Sequence, residues 1–69
     1  MRRLTETQLA VLFYLRRAER ASSRRIKRET GAVEGSLQGL AARGLIEPCL
    51  KASYRITESG RVEAKESDA

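Results

Sequence analysis

The stretch from residue 33 to residue 47 is the feature that most constrains the fold. It reads V-E-G-S-L-Q-G-L-A-A-R-G-L-I-E, and its apolar residues recur at i, i+4, i+7 and i+8, which is one face of a helix. These residues are Val33, Leu37, Leu40 and Ala41. Gly44 stands where a left-handed residue ends a helix, and the apolar pair 45–46 then starts an extended segment. The stretch therefore predicts a short amphipathic helix that leads through a glycine corner into a buried strand.

The length and composition of the chain argue against membrane proteins, metalloproteins and most enzymes. A chain of 69 residues makes one small domain, and such a domain buries only about 60% of its unfolded surface. No apolar run is long enough to span a membrane and the start lacks a signal-peptide core, so we expect a cytoplasmic protein. With no histidine and with Cys49 as the single cysteine, the common metal-binding and acid–base side chains are missing. We expect no cofactor and no metal, and an enzyme is the least expected class.

The basic residues are concentrated in the first part of the chain. Residues 1–28 carry nine basic and two acidic side chains, a net charge of +7, whereas residues 29–69 carry five basic and seven acidic side chains, a net charge of −2. A one-sided basic surface indicates a polyanionic partner such as nucleic acid. A solvated surface without a partner is the alternative interpretation.

The N-terminal part predicts a short arm followed by a helix. Residues 1–4 form a basic arm, the domain proper spans residues 5–63, and residues 64–69 form a polar tail that frays. Thr5 and Gln8 stand at the N-cap and N3 positions of a capping box, and Leu4 and Leu9 stand at the positions of a hydrophobic staple. The first helix is expected to run from this cap to Ala18 or Arg20.

The apolar arc of the first helix is wider than a one-sided surface helix needs. One sector holds Leu9, Leu12 and Phe13, and an adjoining sector holds Val11, Leu15 and Ala18. Two interpretations are open. In the first, which we favour slightly, the helix is central and other elements pack on both sides of it. In the second, the sector of Val11, Leu15 and Ala18 contacts another subunit and forms a homodimer.

A short second helix is expected to carry most of the phosphate contacts. Ser22 is its predicted N-cap, Ile26 its buried anchor, and Gly31 its end. Four basic side chains surround the anchor: Arg24, Arg25, Lys27 and Arg28. In a helix-turn-helix, the first helix of the pair crosses the DNA backbone, and such contacts carry charge without sequence information.

The outward face of the third helix is expected to carry few side chains that can recognise bases. It holds Gly35, Gln38, Gly39 and Ala42, with Glu34 and Arg43 towards its edges. Gln38 has the geometry for an adenine edge, and Glu34 can accept a hydrogen bond from cytosine; Ser36 is a further weak candidate. Each glycine costs about 1 kcal/mol of helix propensity relative to alanine. Close approach to DNA, close packing of a partner helix and a tolerated weak helix remain alternative explanations.

The remaining segments predict a β-hairpin and a closing helix. Residues 45–50 and 53–57 read as two strands, with Lys51 and Ala52 at the turn. Pro48 indicates an edge strand or a bulge. Lys51 and Arg55 are candidates for contacts with phosphate or with the minor groove. Cys49 reads as a small packed side chain, with a redox role as the alternative. A last short helix is expected after an N-cap at residue 57.

Four segments of the chain match the sequence pattern of a known protein family. They are L-T-x-x-Q-L-x-V-L (4–12), S-x-R-x-I-x-R-E-T-G (22–31 around Ile26), S-L-x-x-L-x-x-R-G-L-I-E (36–47) and Y-R-I-T-E-S-G-R (54–61). Together they resemble the winged helix-turn-helix core of MarR-like regulators over most of residues 4–62. The last two segments are the most specific part of the match.

The resemblance implies a mostly α, α+β fold with a three-helix core and a short hairpin wing. It also implies binding of double-stranded DNA, usually as a dimer, with the third helix at the major groove. The expected DNA-contacting residues are Arg24, Arg25, Lys27, Arg28, Glu34, Ser36, Gln38, Arg43, Lys51 and Arg55. The alternative function is a protein-interaction module on the same scaffold, which would dock a partner through Gly35, Gln38, Gly39 and Ala42. Ala32, Gly35 and Gly39 depart from the family, which often has serine, threonine or arginine there.

Overall fold

The protein is a small, mostly helical α+β domain. A computed structural model of the chain describes the backbone of residues 4–68 and the side chains of residues 4–66. This part of the chain forms four helices and one three-stranded antiparallel sheet with strand order β1-β3-β2. The elements follow in the order α1 (Glu6–Ala18), β1 (Arg20–Ser22), α2 (Ser23–Thr30), α3 (Glu34–Ala42), β2 (Ile46–Cys49), β3 (Ser53–Ile56) and α4 (Glu58–Asp68).

Local capping signals set the helix boundaries, as the sequence predicted. The Gln8 N–H donates to Thr5 Oγ1 and the Thr5 N–H donates to Gln8 Oε1, both at 3.1 Å, so the capping box of α1 is complete. Ser22 Oγ accepts from the Arg25 N–H at 3.1 Å and begins α2. Gly31 and Gly44, at φ 74° and 75°, adopt the left-handed conformation at the ends of α2 and α3.

Helix α1 is the centre of the fold, which agrees with the first of the two interpretations of its wide apolar arc. It contacts α2, α3 and α4 as well as strands β1 and β3. Val11, Leu12 and Leu15 have no exposed surface. The dimer surface expected from Val11, Leu15 and Ala18 is therefore corrected: two of its three side chains are enclosed within one chain, and Ala18 alone of the three is exposed.

The core lies between α1 and the elements around it. The other helices and strands contribute the apolar side chains of Ile26, Ala32, Leu37, Leu40, Leu45, Ile46, Ile56 and Ala64. Val33 was expected in this core but is 64% exposed, because it is the N-cap of α3 and stands before the helix; Ala32 is buried in its place. No buried side-chain polar atom of the described residues lacks a hydrogen-bond partner.

The hairpin forms as predicted and a third strand extends its sheet. Strand β2 pairs with β3 through Ile46↔Ile56 and Cys49↔Ser53, and β2 is an edge strand, the position that Pro48 indicated. Strand β1 pairs with the other edge of β3, with Arg20 opposite Arg55. Strand β1 was not predicted, since three residues between two helices are too few for a recognisable alternation.

The two ends of the chain differ from the sequence prediction in part. Residues 1–3 of the predicted arm lie outside the described residues, whereas Leu4 packs against the core. Helix α4 continues to Asp68, past residue 64, where a frayed tail was expected, and Ala64 is fully buried. Ala69 lies outside the described residues.

Replacing Glu19 by glycine is expected to stabilise the protein by about 1 kcal/mol, or about 4–8 °C in the melting temperature. Glu19 ends α1 at φ 70° and ψ −45°, a conformation that is strained for any residue with a Cβ atom. Its carboxylate also lies at the negative end of the helix dipole. Thermal unfolding followed by circular dichroism measures the change. Glu6→Gly, in the first turn of the same helix, is the control and should lower the melting temperature.

Candidate nucleic-acid interface

Helix α2 presents its cations to solvent on the face opposite its single buried anchor. Ile26 is fully buried, and Arg24, Arg25 and Arg28 are exposed. At 100° per residue, residues 24 and 28 lie directly opposite residue 26. These three arginines make no ion pair with any other residue in the range 4–66. They were predicted to bind phosphate, and the fold leaves their guanidinium groups accessible for it.

The hairpin tip lies beside the beginning of α2. The Ser23 N–H donates to the Ala52 carbonyl oxygen at 2.8 Å, which joins the first residue of α2 to the tip. Lys51 and Ala52 both adopt positive φ angles, 50° and 56°, and so set the direction of the chain at the tip. Lys51 is exposed there. We call the four cations Arg24, Arg25, Arg28 and Lys51 the α2–tip cluster.

Lys27 and Glu34 were predicted as separate contacts, to phosphate and to cytosine, but they form an ion pair with each other. Lys27 Nζ lies 2.7 Å from Glu34 Oε1, with the two side chains 38% and 50% exposed. The pair connects α2 to the first turn of α3. Either residue must break this pair before it contacts DNA, so neither belongs to the α2–tip cluster.

The turn between α2 and α3 is fixed by its own hydrogen bonds. Thr30 Oγ1 donates to the Ile26 carbonyl oxygen at 2.7 Å and accepts from the Ala32 N–H at 3.2 Å. Because Ala32 is buried and Gly31 takes the left-handed conformation, the three-residue turn 31–33 has a defined shape. The relative position of α2 and α3 is therefore set by local contacts.

The outward face of α3 holds fewer residues than predicted. Gly35, Gln38 and Ala42 are exposed, and Ser36 is half-buried. Gly39 is half-buried instead of exposed, because the Gln8 side chain of α1 lies beside it. A Cβ atom at this position would lie 3.1 Å from Gln8 Nε2. Of the explanations for the two glycines, close packing therefore applies at Gly39, and the helix that packs there is α1 of the same chain.

The two remaining predicted cations lie apart from the α2–tip cluster. Arg43 lines an open depression together with Leu4, Leu45 and Glu63, on the side of the domain that holds α4. Arg55 is exposed on β3, where its Nη2 atom lies 3.3 Å from Glu47 Oε1 of the neighbouring strand.

The sequence prediction missed two exposed residues that lie beside predicted contact residues: Arg20, beside Arg55, and Leu50, beside Lys51. Arg20 lies directly across from Arg55, and with Arg61 and Glu19 it surrounds a second open depression. The signal for Arg20 was absent because β1 was not predicted. Leu50 at the hairpin tip is 81% exposed, the largest value among the exposed large apolar side chains of residues 4–66. Its position at a turn after an apolar strand was visible in the sequence.

The described residues carry no group of three or more histidine, cysteine, aspartate or glutamate side chains that could hold a metal ion. Within the same residues, no helix is both long and apolar enough to cross a membrane. Cys49 is a half-buried thiol on β2, opposite Ser53.

Comparisons of the chain with the models of known protein families, with curated proteins and with solved structures found no match.

Proposed function

We propose that this chain is a winged helix-turn-helix protein that binds duplex DNA as a small transcriptional regulator. The layout supports this proposal. Three helices, α1 to α3, precede the β2–β3 hairpin, which would be the wing, and a short turn joins α2 to α3. This is the order of elements that the MarR-like resemblance implies. In this arrangement α3 approaches the major groove, while α2 and the wing contact phosphates.

The α2–tip cluster is the observation that carries the proposal. Arg24 and Arg25, in the first turn of α2, and Lys51 flank the hydrogen-bonded junction between helix and hairpin, and Arg28 lies one turn further along the exposed side of α2. Arginine and lysine at a helix N-terminus are unfavourable for the helix dipole, and the first turn of α2 contains no acidic residue. A phosphate group placed there would interact favourably with both the side chains and the helix end.

On this proposal, phosphate contacts supply most of the affinity. Gln38 is the best-placed side chain for a base edge, with Ser36 and Glu34 as weaker candidates, and Gly35 and Ala42 offer no polar groups. We therefore expect binding that tolerates many sequences, with modest preferences on top of it.

Charge reversal on α2 tests the proposal. We expect Arg24→Glu combined with Arg28→Glu to weaken binding of a random 25-base-pair duplex at 50 mM salt by roughly 100-fold or more, because two phosphate contacts are lost and replaced by repulsion. Fluorescence anisotropy of a labelled duplex measures the dissociation constant. The double variant Arg61→Glu and Lys65→Glu, also four residues apart but on α4, makes the same change in net charge.

The control separates a local contact from the effect of total charge. If the α4 variant binds with an affinity within a few-fold of the wild type while the α2 variant does not bind, the α2–tip cluster contacts the DNA. Equal losses in both variants would mean that net charge alone attracts the duplex. No binding by the wild type at low salt would reject the proposed function.

A protein-interaction module is the second candidate function. Its support is the exposed surface at α3, where Gly35 and Ala42 present little side chain beside Gln38, and where Val33 is 64% exposed. A helix of a partner protein could approach such a surface closely. The α2 charge reversal should leave such an interaction nearly unchanged, so the same variant distinguishes the two functions.

A further inference from the structure

The tip of the hairpin exposes a leucine between a strand and a lysine. Leu50 follows β2 and precedes Lys51, and it is 81% exposed, against 64% for Val33 and 49% for Val62. A leucine exposed to this extent contributes little to folding, since the hydrophobic effect rewards only surface removed from water. Its apolar surface is available to a binding partner.

Leu50 is held on a defined turn. Cys49 and Ser53 pair directly below the tip, which leaves a three-residue loop. Two of these residues, Lys51 and Ala52, adopt left-handed conformations, and the Ala52 carbonyl accepts the 2.8 Å hydrogen bond from Ser23. The bond at Ala52 fixes the loop relative to α2, so the position of Leu50 relative to the arginines of α2 is set by the fold.

The surroundings of Leu50 identify the chemistry of its partner. A purely apolar partner would have to desolvate Lys51 and approach the arginines at the beginning of α2, which costs free energy without compensation. A polyanion with an apolar interior would pair its charges with Lys51 and the arginines, and its interior would accept the leucine side chain. Duplex DNA is such a partner, because its phosphates lie outside and its stacked base faces lie inside.

We infer that Leu50 is an apolar wedge that enters the minor groove and partly unstacks one base step, so that the protein bends the DNA it binds. The inference rests on the proposed DNA-binding function and assigns the hairpin tip a role beyond phosphate contact. Side chains such as leucine and phenylalanine are inserted between base steps by proteins that bind in the minor groove. Pyrimidine–purine steps are the easiest to open, so the wedge also implies a preference for a TA step.

The test compares two 25-base-pair duplexes that differ at their centre, one with a TA step and one with an A-tract. Donor and acceptor dyes at the two ends report bending as an increase in energy transfer, and anisotropy reports affinity. We expect the wild type to bend the TA duplex and to bind it several-fold more tightly than the A-tract duplex. Leu50→Ala should abolish the bend and weaken binding to the TA duplex about tenfold, the loss expected when most of one buried leucine side chain is removed.

Two further variants separate a wedge from a general surface effect. Leu50→Phe keeps an apolar wedge and should preserve the bend, and Val62→Ala, which truncates an exposed apolar side chain on α4, should change neither affinity nor bending. The salt dependence of Leu50→Ala should equal that of the wild type, since no charge is altered. Its circular dichroism spectrum and melting temperature should be unchanged, because the side chain is exposed in the folded chain.

The wedge is rejected if Leu50→Ala bends and binds the TA duplex as the wild type does. It is also rejected if the variant instead dissociates a dimer in sedimentation equilibrium, because Leu50 would then bind a second copy of the chain. Either result leaves salt-sensitive binding of the wild type intact. Absence of any wild-type binding at low salt is the separate result that would overturn the proposed function itself.

Discussion

Replacing Gly60 by alanine is expected to lower the free energy of unfolding by about 3 kcal/mol or more. Gly60 lies in α4, where a Cβ atom would collide with the Leu45 carbonyl oxygen and would come within 2.8 Å of Ile56 Cγ1. The colliding atom belongs to the backbone at the glycine corner, so no side-chain rotation can relieve the contact. Helix α4 must move away from β2 and β3 to admit the methyl group.

The corner that would be disturbed is held by several hydrogen bonds. The Leu45 carbonyl accepts from the Thr57 N–H at 3.1 Å, and Thr57 Oγ1 lies 2.7 Å from the Gly44 carbonyl oxygen. The same hydroxyl accepts from the Gly60 N–H at 3.0 Å, so Thr57 is the N-cap of α4. Displacing Gly60 therefore strains the cap and the connection between α4 and the sheet together.

Chemical denaturation followed by circular dichroism measures this loss. For a domain of this size, about 3 kcal/mol corresponds to about 12–24 °C in the melting temperature. Gly35→Ala is the matched control, because Gly35 is also helical and a Cβ atom there has no neighbour within 4 Å. It should raise stability by up to about 1 kcal/mol through helix propensity. A Gly60→Ala variant as stable as the wild type would contradict the close approach of α4 to the glycine corner.

Features that depend on neighbouring residues could be predicted from the sequence. The capping box of Thr5 and Gln8, the cap at Ser22 and the left-handed glycines 31 and 44 each involve residues within four positions of one another. The hairpin also formed where alternation and turn residues placed it. Such local signals fix where elements begin and end, and they can be read without knowing which distant residues meet in the fold.

Features that depend on distant residues could not be predicted. Strand β1 exists because β3 offers an edge some 30 positions later in the chain, and its own three residues carry no pattern. Gly39 looked exposed on a helical wheel, but Gln8 of α1 covers it. The Lys27–Glu34 pair also needed the turn geometry, since the sequence alone shows two residues seven positions apart on different helices.

Gly60 also depends on a distant residue, although it lies in a segment that the family resemblance included. The Y-R-I-T-E-S-G-R segment was, together with R-G-L-I-E, the most specific part of the family resemblance, yet nothing in it explained the glycine. The reason is the Leu45 carbonyl oxygen, which lies 15 positions earlier in the chain. A glycine inside a helix is therefore costly in isolation and necessary in this fold.

The salt dependence of DNA binding is the second large effect, and it follows from which cations the fold leaves accessible. Of the seven cations predicted to contact DNA, Lys27 and Arg55 are paired with carboxylates. This leaves the four cations of the α2–tip cluster and Arg43. Four or five phosphate contacts give a log–log slope of affinity against salt between about −3.6 and −4.5. Between 50 and 200 mM salt, affinity should therefore fall roughly 150- to 500-fold.

The contribution of each cation to this slope is measurable. Arg24→Gln and Lys51→Gln should each make the slope about 0.9 less steep, because each removes one displaced counterion. Lys65→Gln, which neutralises an exposed lysine of α4, should leave the slope unchanged. Anisotropy titrations at four or more salt concentrations give these slopes. A duplex that faces α2 and the hairpin tip releases counterions at Arg24 and Lys51 but not at Lys65. If Lys65→Gln changes the slope as much as Arg24→Gln does, then DNA contacts the domain without a preferred face.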